Sequence, residues 1–424
     1  MKRFDIILII TAIAALFTAI FFYPARKINF KRTTLVFSQW FDGGEKEALN
    51  RIIAEFEESH PGINVVSSYR TSQLVRNDCV YYMELTQNEQ EGGKKKVTRR
   101  LPDIATIDPL WFNDSEKRVL FANQNMPETV STGTKNDEFS KPLYSYFSAL
   151  FYNIDILEEA GFDRPPKTRS DLMSVCLKLK EKNIYGLSVS MNFFTDIFPW
   201  IWSGLDRNEM RTLNNGNASF DFTEKSVVET LDFFNRLNKA NTLGRPPFIE
   251  NEEEKINNFL AGKSAMITAS SQLIKLIETG YPKLRFSVSS IPYPENYPGR
   301  PVFSLNSVHA AVLSTSQNKE AAFEFLEFLS AKKAALAAAA GAVSEDAASS
   351  VFGYSRSPGE ESSVSAKAQD MIESAELVEA WKIFPACSAL NSIAGEEISF
   401  MLKYNRNAVE TAEEIEKRYD IAAE

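Results

Sequence analysis

Two short segments place an indole ring and a carboxylate together directly after a predicted β-strand. Trp40 and Asp42 follow the run TTLVFS, and Asp108 and Trp111 follow the run PDIATI. Indole faces cover the apolar side of a sugar ring, and carboxylates accept strong hydrogen bonds from hydroxyl groups. Since loops at the carboxyl ends of parallel strands line crevices, we expect these four side chains near one cleft. Helix capping is the alternative for Asp42, because Glu45 follows three residues later, and the two roles are compatible.

Residues suited to covalent catalysis are scarce. The chain has two histidines. His60 lies in a turn that ends a predicted helix, and His309 lies in a predicted strand, where a core or hinge role is favoured over ligand contact. The run GKS at 262–264 imitates the end of a phosphate-binding loop, but Asn257 occupies the position of the required glycine and a helix precedes the motif. Neither feature therefore indicates an enzyme.

Carboxylates and thiols add no further chemistry. Glu396 and Glu397 could suggest the carboxylate pair of a glycosidase, but such a pair needs a defined separation, and a solvated helix face is the simpler interpretation. The three cysteines are too far apart for metal or redox spacing, so we predict that they are buried apolar residues: Cys79, Cys176 and Cys387. We expect no enzymatic activity, no cofactor and no metal site.

Length and charge restrict the class of protein. A chain of 424 residues is too long for one ordinary core, so two domains are expected. The formal net charge of −9 argues against general nucleic-acid binding, because that function requires a basic surface.

The N-terminus carries an apolar run, residues 6–23, that is long enough to cross a bilayer. No cysteine directly follows it, which excludes a lipoprotein anchor, and no A-x-A-like cleavage site is evident. We therefore interpret it as an uncleaved membrane anchor, with a cleaved signal peptide as the alternative. The positive-inside rule conflicts with export, because more basic residues follow the run than precede it, namely Arg26, Lys27, Lys31 and Arg32. Export is preferred because of the body of the chain.

Strands and helices alternate along that body, which predicts an α/β architecture with largely parallel sheets. Residues 33–66 read as strand, helix and strand, and the helix has its apolar residues at 48, 49, 52, 53 and 56 on one face. Further on, a strand ends at Asn153, Gly161 ends a short helix, and Thr168 with Asp171 supplies cap chemistry for the next one. Near the C-terminus we predict helices at 366–381, 391–403 and 407–419.

Five blocks, in this order and spacing, resemble the extracellular solute-binding proteins of family 1, the maltose-binding-protein-like substrate receptors of ABC importers. Together with the spacing between them, the resemblance extends over nearly all of residues 33–420, and the blocks are LVFSQWFDGGEKEALNRIIAEFEESHPGINV, PDIATIDPLW, ALFYNIDILEEAGFDRPPKTRSDL, NNFLAGKSAMITASSQLIK and AAVLSTSQNKEAAFEFLEFLS. The resemblance implies a two-lobed periplasmic-binding-protein fold of type II. Each lobe would be a mostly parallel sheet flanked by helices, and hinge crossings would join the lobes around a solute cleft that closes by hinge motion.

The resemblance also implies how the chain divides. Residues 1–32 would be the membrane anchor or signal segment, and residues 33–146 the first part of lobe 1. Residues 147–307 would form the first part of lobe 2. Residues 308–341 would return to lobe 1, and residues 342–424 would complete lobe 2 with the C-terminal helices.

Several site residues follow from the resemblance alone. Tyr146, at the first hinge crossing, aligns best with a ligand position of the family. Trp200 and Trp202 match the region where the family places an aromatic residue of the second lobe, and we expect one in the core and the other facing the cleft.

The chain departs from the family at three stacking positions. Gln272 stands where relatives often carry a tryptophan, Asn306 stands in a segment where they have a Gly-Gly-Trp type of sequence, and Asn391 occupies the position of a third stacking tryptophan. We keep these three as candidate ligand contacts. A maltodextrin becomes doubtful as the solute, and a smaller or more polar sugar, or a non-sugar solute, stays open.

The resemblance thus implies a receptor outside the cytoplasm that captures a small polar solute, with a carbohydrate favoured, by lobe closure. It would be monomeric, would deliver the solute to an ABC permease, and would be tethered to the inner or cytoplasmic membrane or released after cleavage. The main alternative is a binding protein that acts as a sensor or a structural surface protein independently of transport. A hydrolase is a distant third.

Overall fold

The computed structural model describes residues 32–90, 101–112, 114–122, 139–205, 207–214, 219–244, 246, 249–295, 301–342 and 364–423. The N-terminal apolar run, on which the anchor prediction rests, lies outside these residues. Among the described helices, none combines the length and apolar character needed to cross a membrane.

Lobe 1 begins with the predicted strand–helix–strand unit. Strand β1 (Thr33–Gln39) pairs in parallel with β2 (Ile63–Tyr69), and α1 (Gly43–Ser59) connects them. Helix α1 buries the predicted apolar face, which ends at Phe56. The lobe continues with α2 (Ser72–Gln90), β3 (Ile104–Ile107), a 3-10 helix (Pro109–Trp111) and α3 (Asp114–Leu120).

Two long strands connect the lobes. The first half of β4 (Lys141–Asn153) pairs with β8 (Val302–Val312), while its second half pairs with β6 (Ser264–Ser270) and β7 (Phe286–Ser289). Strand β8 also pairs with β3 in lobe 1. The sheet order is therefore β2-β1-β3-β8-β4-β6-β5, in which β5 spans Tyr185–Ser188, with β7 on β4 and the last strand, β9 (Glu376–Glu379), on β8. The division of the chain at 146, 307 and 341 stays a prediction.

The segment after β4 folds as its signals predict. Asn153 caps α4 (Ile154–Glu159) by accepting a hydrogen bond from the Ile156 amide, and Gly161 follows with a φ of 91° that favours glycine. Thr168 and Asp171 then form a complete capping box at the start of α5 (Arg169–Lys180).

Lobe 2 is built from helices around a short parallel pair, β5 (Tyr185–Ser188) with β6. A π-helix (Phe193–Ile197) runs directly into α6 (Phe198–Trp202). The helices that follow in the chain are α7 (Arg207–Asn214), α8 (Lys225–Lys239), α9 (Glu252–Leu260) and α10 (Gln272–Gly280).

The chain then returns to lobe 1 through α11 (Lys319–Ala331) and α12 (Lys333–Ala340), which pack on the core of β1 and α1. The C-terminal part packs mainly with lobe 2 and comprises α13 (Val364–Glu373), β9 (Glu376–Glu379), α14 (Ala380–Ile383), α15 (Cys387–Tyr404) and α16 (Ala408–Ala423). The predicted helix at 366–381 is wrong over its last part, because residues 376–379 add to β8 as a parallel strand.

Candidate functional site

A cleft of about 420 Å³ opens where the two lobes meet the crossing strands. Lobe 1 contributes α2 and the 3-10 helix, β4 and β8 form the floor, and the π-helix and the start of α15 form the opposite wall. Seven of the ten predicted site residues line it: Trp40, Asp108, Trp111, Tyr146, Gln272, Asn306 and Asn391. Their contact with a solute stays a prediction.

The indole rings on the lobe 1 wall lie against each other. The ring centroids of Trp40 and Trp111 are 5.2 Å apart, with planes at 49°. Trp40 follows β1 and Trp111 ends the 3-10 helix, so two neighbouring strands deliver one ring each. The pair forms an apolar surface beside the polar groups of the cleft.

Asp108 initiates that 3-10 helix and faces the cleft. Its Oδ1 accepts a hydrogen bond from the Leu110 amide at 2.9 Å. Burial raises the pKa of the carboxyl to about 6, against the lowering effects of that hydrogen bond and of Arg76 and Lys117. Asp108 is therefore mostly ionised at neutral pH, and it becomes protonated in mild acid.

Tyr146 on β4 belongs to a hydrogen-bonded network between the lobes. Its phenol contacts the Glu45 carboxylate at 3.5 Å and is also hydrogen-bonded to Gln272 at the start of α10. Tyr144 donates to the same Glu45 oxygen at 2.6 Å. Burial raises the pKa of the Glu45 carboxyl and holds the pKa of both phenols well above their usual range, so both phenols stay neutral. This network fixes the orientation of Tyr146 in the cleft.

The π-helix and α15 hold each other in place on the opposite wall. Asn391 of α15 accepts a hydrogen bond from the Phe193 amide at 3.0 Å, and Asn192 caps the π-helix by accepting from the Thr195 amide at 3.1 Å. Phe194 and Thr195 then line the cleft. Amides, hydroxyls and one aromatic ring therefore face the two indoles.

Three predicted residues do not line this cleft. Trp200 and Trp202 are 0% and 1% exposed, and both belong to the lobe 2 core. The Trp200 indole nitrogen donates to the Thr268 hydroxyl at 3.1 Å, and the Trp202 ring packs on Phe198 at 5.5 Å. The expectation that one of these tryptophans faces the cleft is therefore wrong, because every residue of α6 is buried.

Asp42 is the third. It is exposed at the start of α1, and its side chain makes no capping hydrogen bond. The reciprocal half of the capping box exists, because the Glu45 carboxylate accepts from the Asp42 backbone amide. Neither the cleft position nor the side-chain cap predicted for Asp42 is observed.

Sequence reasoning missed Arg76 and the hydroxyls of the cleft. Ser72 and Arg76 lie four residues apart on α2, directly beside the buried Val75 and Cys79, a spacing that places both polar side chains along one edge of the packed face. The remaining cleft hydroxyls carry no sequence signal because serine is common on surfaces: Ser270, Ser307, Ser388 and Ser392.

Direct hydrogen bonds also join the described parts of the two lobes. Arg76 Nη2 donates to Ser388 Oγ at 2.7 Å, from α2 to the first turn of α15. On another side of the interface, the Lys275 ammonium of α10 donates to the Ala339 carbonyl oxygen in the last turn of α12. The described conformation therefore has the lobes in contact.

Neither His60 nor His309 is among the described residues that line this cleft. His309 is buried, hydrogen-bonds the Ser140 hydroxyl through Nδ1 at 2.9 Å and packs against Trp381, and burial lowers its pKa to about 3. Within the described residues no cluster of histidine, cysteine or carboxylate groups could hold a metal ion.

A two-lobed α/β fold with a cleft between its lobes is the architecture of solute-binding proteins. A family model described as "Bacterial extracellular solute-binding protein" matches residues 42–336. The chain belongs to this family of bacterial extracellular solute-binding proteins, and membership implies a location outside the cytoplasm.

Individual proteins resemble the chain more distantly. It is 26% identical over 324 residues to the sn-glycerol-3-phosphate-binding periplasmic protein of Shigella flexneri, which covers 70% of each chain. The GacH receptor of Streptomyces glaucescens, solved without ligand and with acarbose, superimposes with a TM-score of 0.67 at 15% identity, covering 92% of this chain and 98% of the receptor. An ABC substrate-binding protein of Listeria monocytogenes in complex with cycloalternan gives a TM-score of 0.64 at 16% identity, with 92% and 98% coverage. At these identities the two structures show the shared fold.

Proposed function

We propose that this protein captures a small polyhydroxylated solute, a carbohydrate or a related polyol, and delivers it to the membrane subunits of an ABC importer. The main support for this proposal is the Trp40–Trp111 pair. Its rings offer an apolar surface on one side of the cleft, while the Asp108 carboxylate and the amides of Asn306 and Asn391 offer polar groups around it. A ring with one apolar face and a rim of hydroxyl groups matches both.

The names of relatives support the same class of solute. The structural neighbours bind acarbose and cycloalternan, and the Shigella relative binds sn-glycerol-3-phosphate, so all three ligands are rich in hydroxyl groups or other oxygens. A cleft of about 420 Å³ favours a small solute over a long oligosaccharide.

The proposal assigns binding without covalent chemistry. Capture occurs by closing the lobes about β4 and β8, the protein acts as a monomer, and the division of the chain into lobes follows the boundaries given above. The N-terminal segment either stays in the membrane as an anchor or is removed as a signal peptide.

A thermal-shift screen of the purified full-length chain tests this function. Mono- and disaccharides, polyols and polyol phosphates form the panel, with amino acids as controls. A solute at about a hundred times its dissociation constant stabilises the folded state by roughly 2.7 kcal/mol, which raises the melting temperature by a few degrees. Selective shifts by polyhydroxylated compounds are expected, and X-ray scattering should then show a smaller radius of gyration with the solute than without it. A folded sample that responds only to amino acids, or to nothing in the panel, would contradict the proposal.

A further inference from the structure

The cleft holds one basic side chain among its described lining residues, and its hydrogen-bonding capacity is only partly used. Arg76 Nη2 donates to Ser388 Oγ, but Arg76 Nε is enclosed and has no hydrogen-bond partner within the described structure. A buried donor without an acceptor costs free energy, so an acceptor atom supplied by a ligand would be favourable at this position. The guanidinium can bind an oxyanion through two parallel N–H groups, a geometry that neutral hydroxyls do not match.

The first turn of α15 adds positive potential on the cleft wall beside Arg76. Helix α15 spans 18 residues and its first turn lines the cleft. Ala386 precedes the helix and provides no side-chain cap, so the first amides are not satisfied by a capping group. Ser388 lies in this first turn, and Ser392, one turn further on, also lines the cleft wall. Helix N-termini carry a partial positive charge, which adds to that of Arg76.

We propose that the polyhydroxylated solute carries an oxyanion, a phosphate or a carboxylate, and that this group binds between the Arg76 guanidinium and the first turn of α15. This inference rests on the proposed function and specifies its solute. The polyol part would lie on the Trp40–Trp111 surface, and the oxyanion would replace the Arg76–Ser388 hydrogen bond as the link between the lobes.

Asp108 makes the inference testable by pH. The charged or titratable groups near it are Arg76 of α2 and Lys117 of α3, and Tyr146 of β4 and Cys387 of α15 line the same cleft. A bound anion disfavours the Asp108 carboxylate, so its affinity should rise as pH falls from 7.5 to 5.5. A neutral sugar that donates hydroxyls to the carboxylate should lose affinity over this range. Glucuronate suits this measurement because its carboxylate stays ionised.

Titration calorimetry on the full-length chain compares matched probes: glycerol with sn-glycerol-3-phosphate, and glucose with glucose 6-phosphate and glucuronate. We expect at least one anionic probe to bind ten or more times more tightly than its neutral counterpart. Whether the phosphate or the carboxylate probe gains this affinity identifies the oxyanion. If neutral probes bind as well as or better than charged ones, the oxyanion is wrong while the solute-binding function stands. If no probe binds, both are contradicted.

Two variants separate charge from geometry. Arg76→Gln should weaken binding of the preferred anion at least tenfold and change the affinity for its neutral counterpart by no more than about threefold. Arg76→Lys should recover part of the lost affinity, because lysine keeps the positive charge but lacks the two parallel N–H groups of the guanidinium. Arg51→Gln, on the exposed side of α1, is the charge-matched control and should bind like the unmodified chain. Equal losses of the charged and the neutral probe in Arg76→Gln would overturn the inference.

Discussion

Lys255 Nζ lies 2.6 Å from Asp196 Oδ1, and neither side chain is exposed to solvent. The same ammonium donates to the Thr268 carbonyl oxygen at 2.8 Å and pairs with Glu252 at 2.7 Å. Asp196 lies in the π-helix that lines the cleft and also accepts from the Ser190 amide and hydroxyl. The buried Lys255 ammonium thus links the π-helix of the cleft wall to β6.

Lys255→Met should destabilise the protein by about 3–5 kcal/mol, because it leaves the Asp196 carboxylate buried without its partner. The midpoint of urea unfolding measures the effect. Lys263→Met is the control, since Lys263 is exposed directly before β6, and it should change stability by less than about 0.5 kcal/mol. Equal midpoints for the two variants would show that the pair does not anchor the wall.

Asp108→Asn should raise stability at pH 7.5 and leave it unchanged at pH 4. The folded-state pKa of about 6 lies above the value of about 4 in an unfolded chain, so the folded state loses stability as pH rises between these values. The neutral amide removes this loss, by up to about 3 kcal/mol, and still accepts from the Leu110 amide. Melting temperatures at the two pH values test the prediction, and a stabilisation that is independent of pH would contradict it.

Trp40→Ala and Trp111→Ala should each weaken solute binding roughly tenfold, because each removes about half of the aromatic surface, an effect of about 1–2 kcal/mol. Titration calorimetry with the best ligand of the screen provides the measurement. Tyr404→Ala replaces an aromatic ring that is 58% exposed at the far end of α15, and it should bind normally. Unaltered affinity in both tryptophan variants would remove the aromatic surface from the site.

Gly186→Ala should destabilise lobe 2 by about 1–3 kcal/mol. A β-carbon at this position of β5 would lie 2.3 Å from Cys176 Sγ and 2.7 Å from its Cα, so α5 would have to move away from the sheet. Gly62→Ala is the matched control, because a β-carbon there meets nothing within 4 Å. A thermal melt should show a lower melting temperature for the first variant only, and similar melting temperatures would imply that α5 shifts freely.

Local signals predicted much of the fold because the residues that define an element are neighbours in the chain. The apolar face of α1 and the caps at Asn153 and Thr168 are examples. Strand β9 was missed for the opposite reason: residues 376–379 become a strand only because β8 offers a free edge, and nothing local reports that edge.

The same distinction applies to the cleft. Trp40 and Asp108 could be predicted because the carboxyl ends of β1 and β3 are recognisable and lie side by side. The burial of Trp200 and Trp202 could not be predicted, because the number of aromatic rings in FPWIW does not indicate which side of a short helix packs into the core. Here every residue of the helix is buried. Arg76 depends on a contact with Ser388 across 312 positions, which no local pattern contains.

The return of the chain through β8 and α11 has a consequence for how the protein is made. Phe37 of β1 and Phe56 of α1 both pack against Phe325 of α11, at 5.8 and 5.1 Å between ring centroids. During synthesis Phe37 and Phe56 therefore leave the ribosome first, and the chain between Phe56 and Phe325 must be made before Phe325 can pack against their rings. The oldest part of the nascent chain thus waits for a segment that is made late, and lobe 2 waits longer still for its C-terminal helices, so protection from aggregation during biosynthesis matters for both lobes.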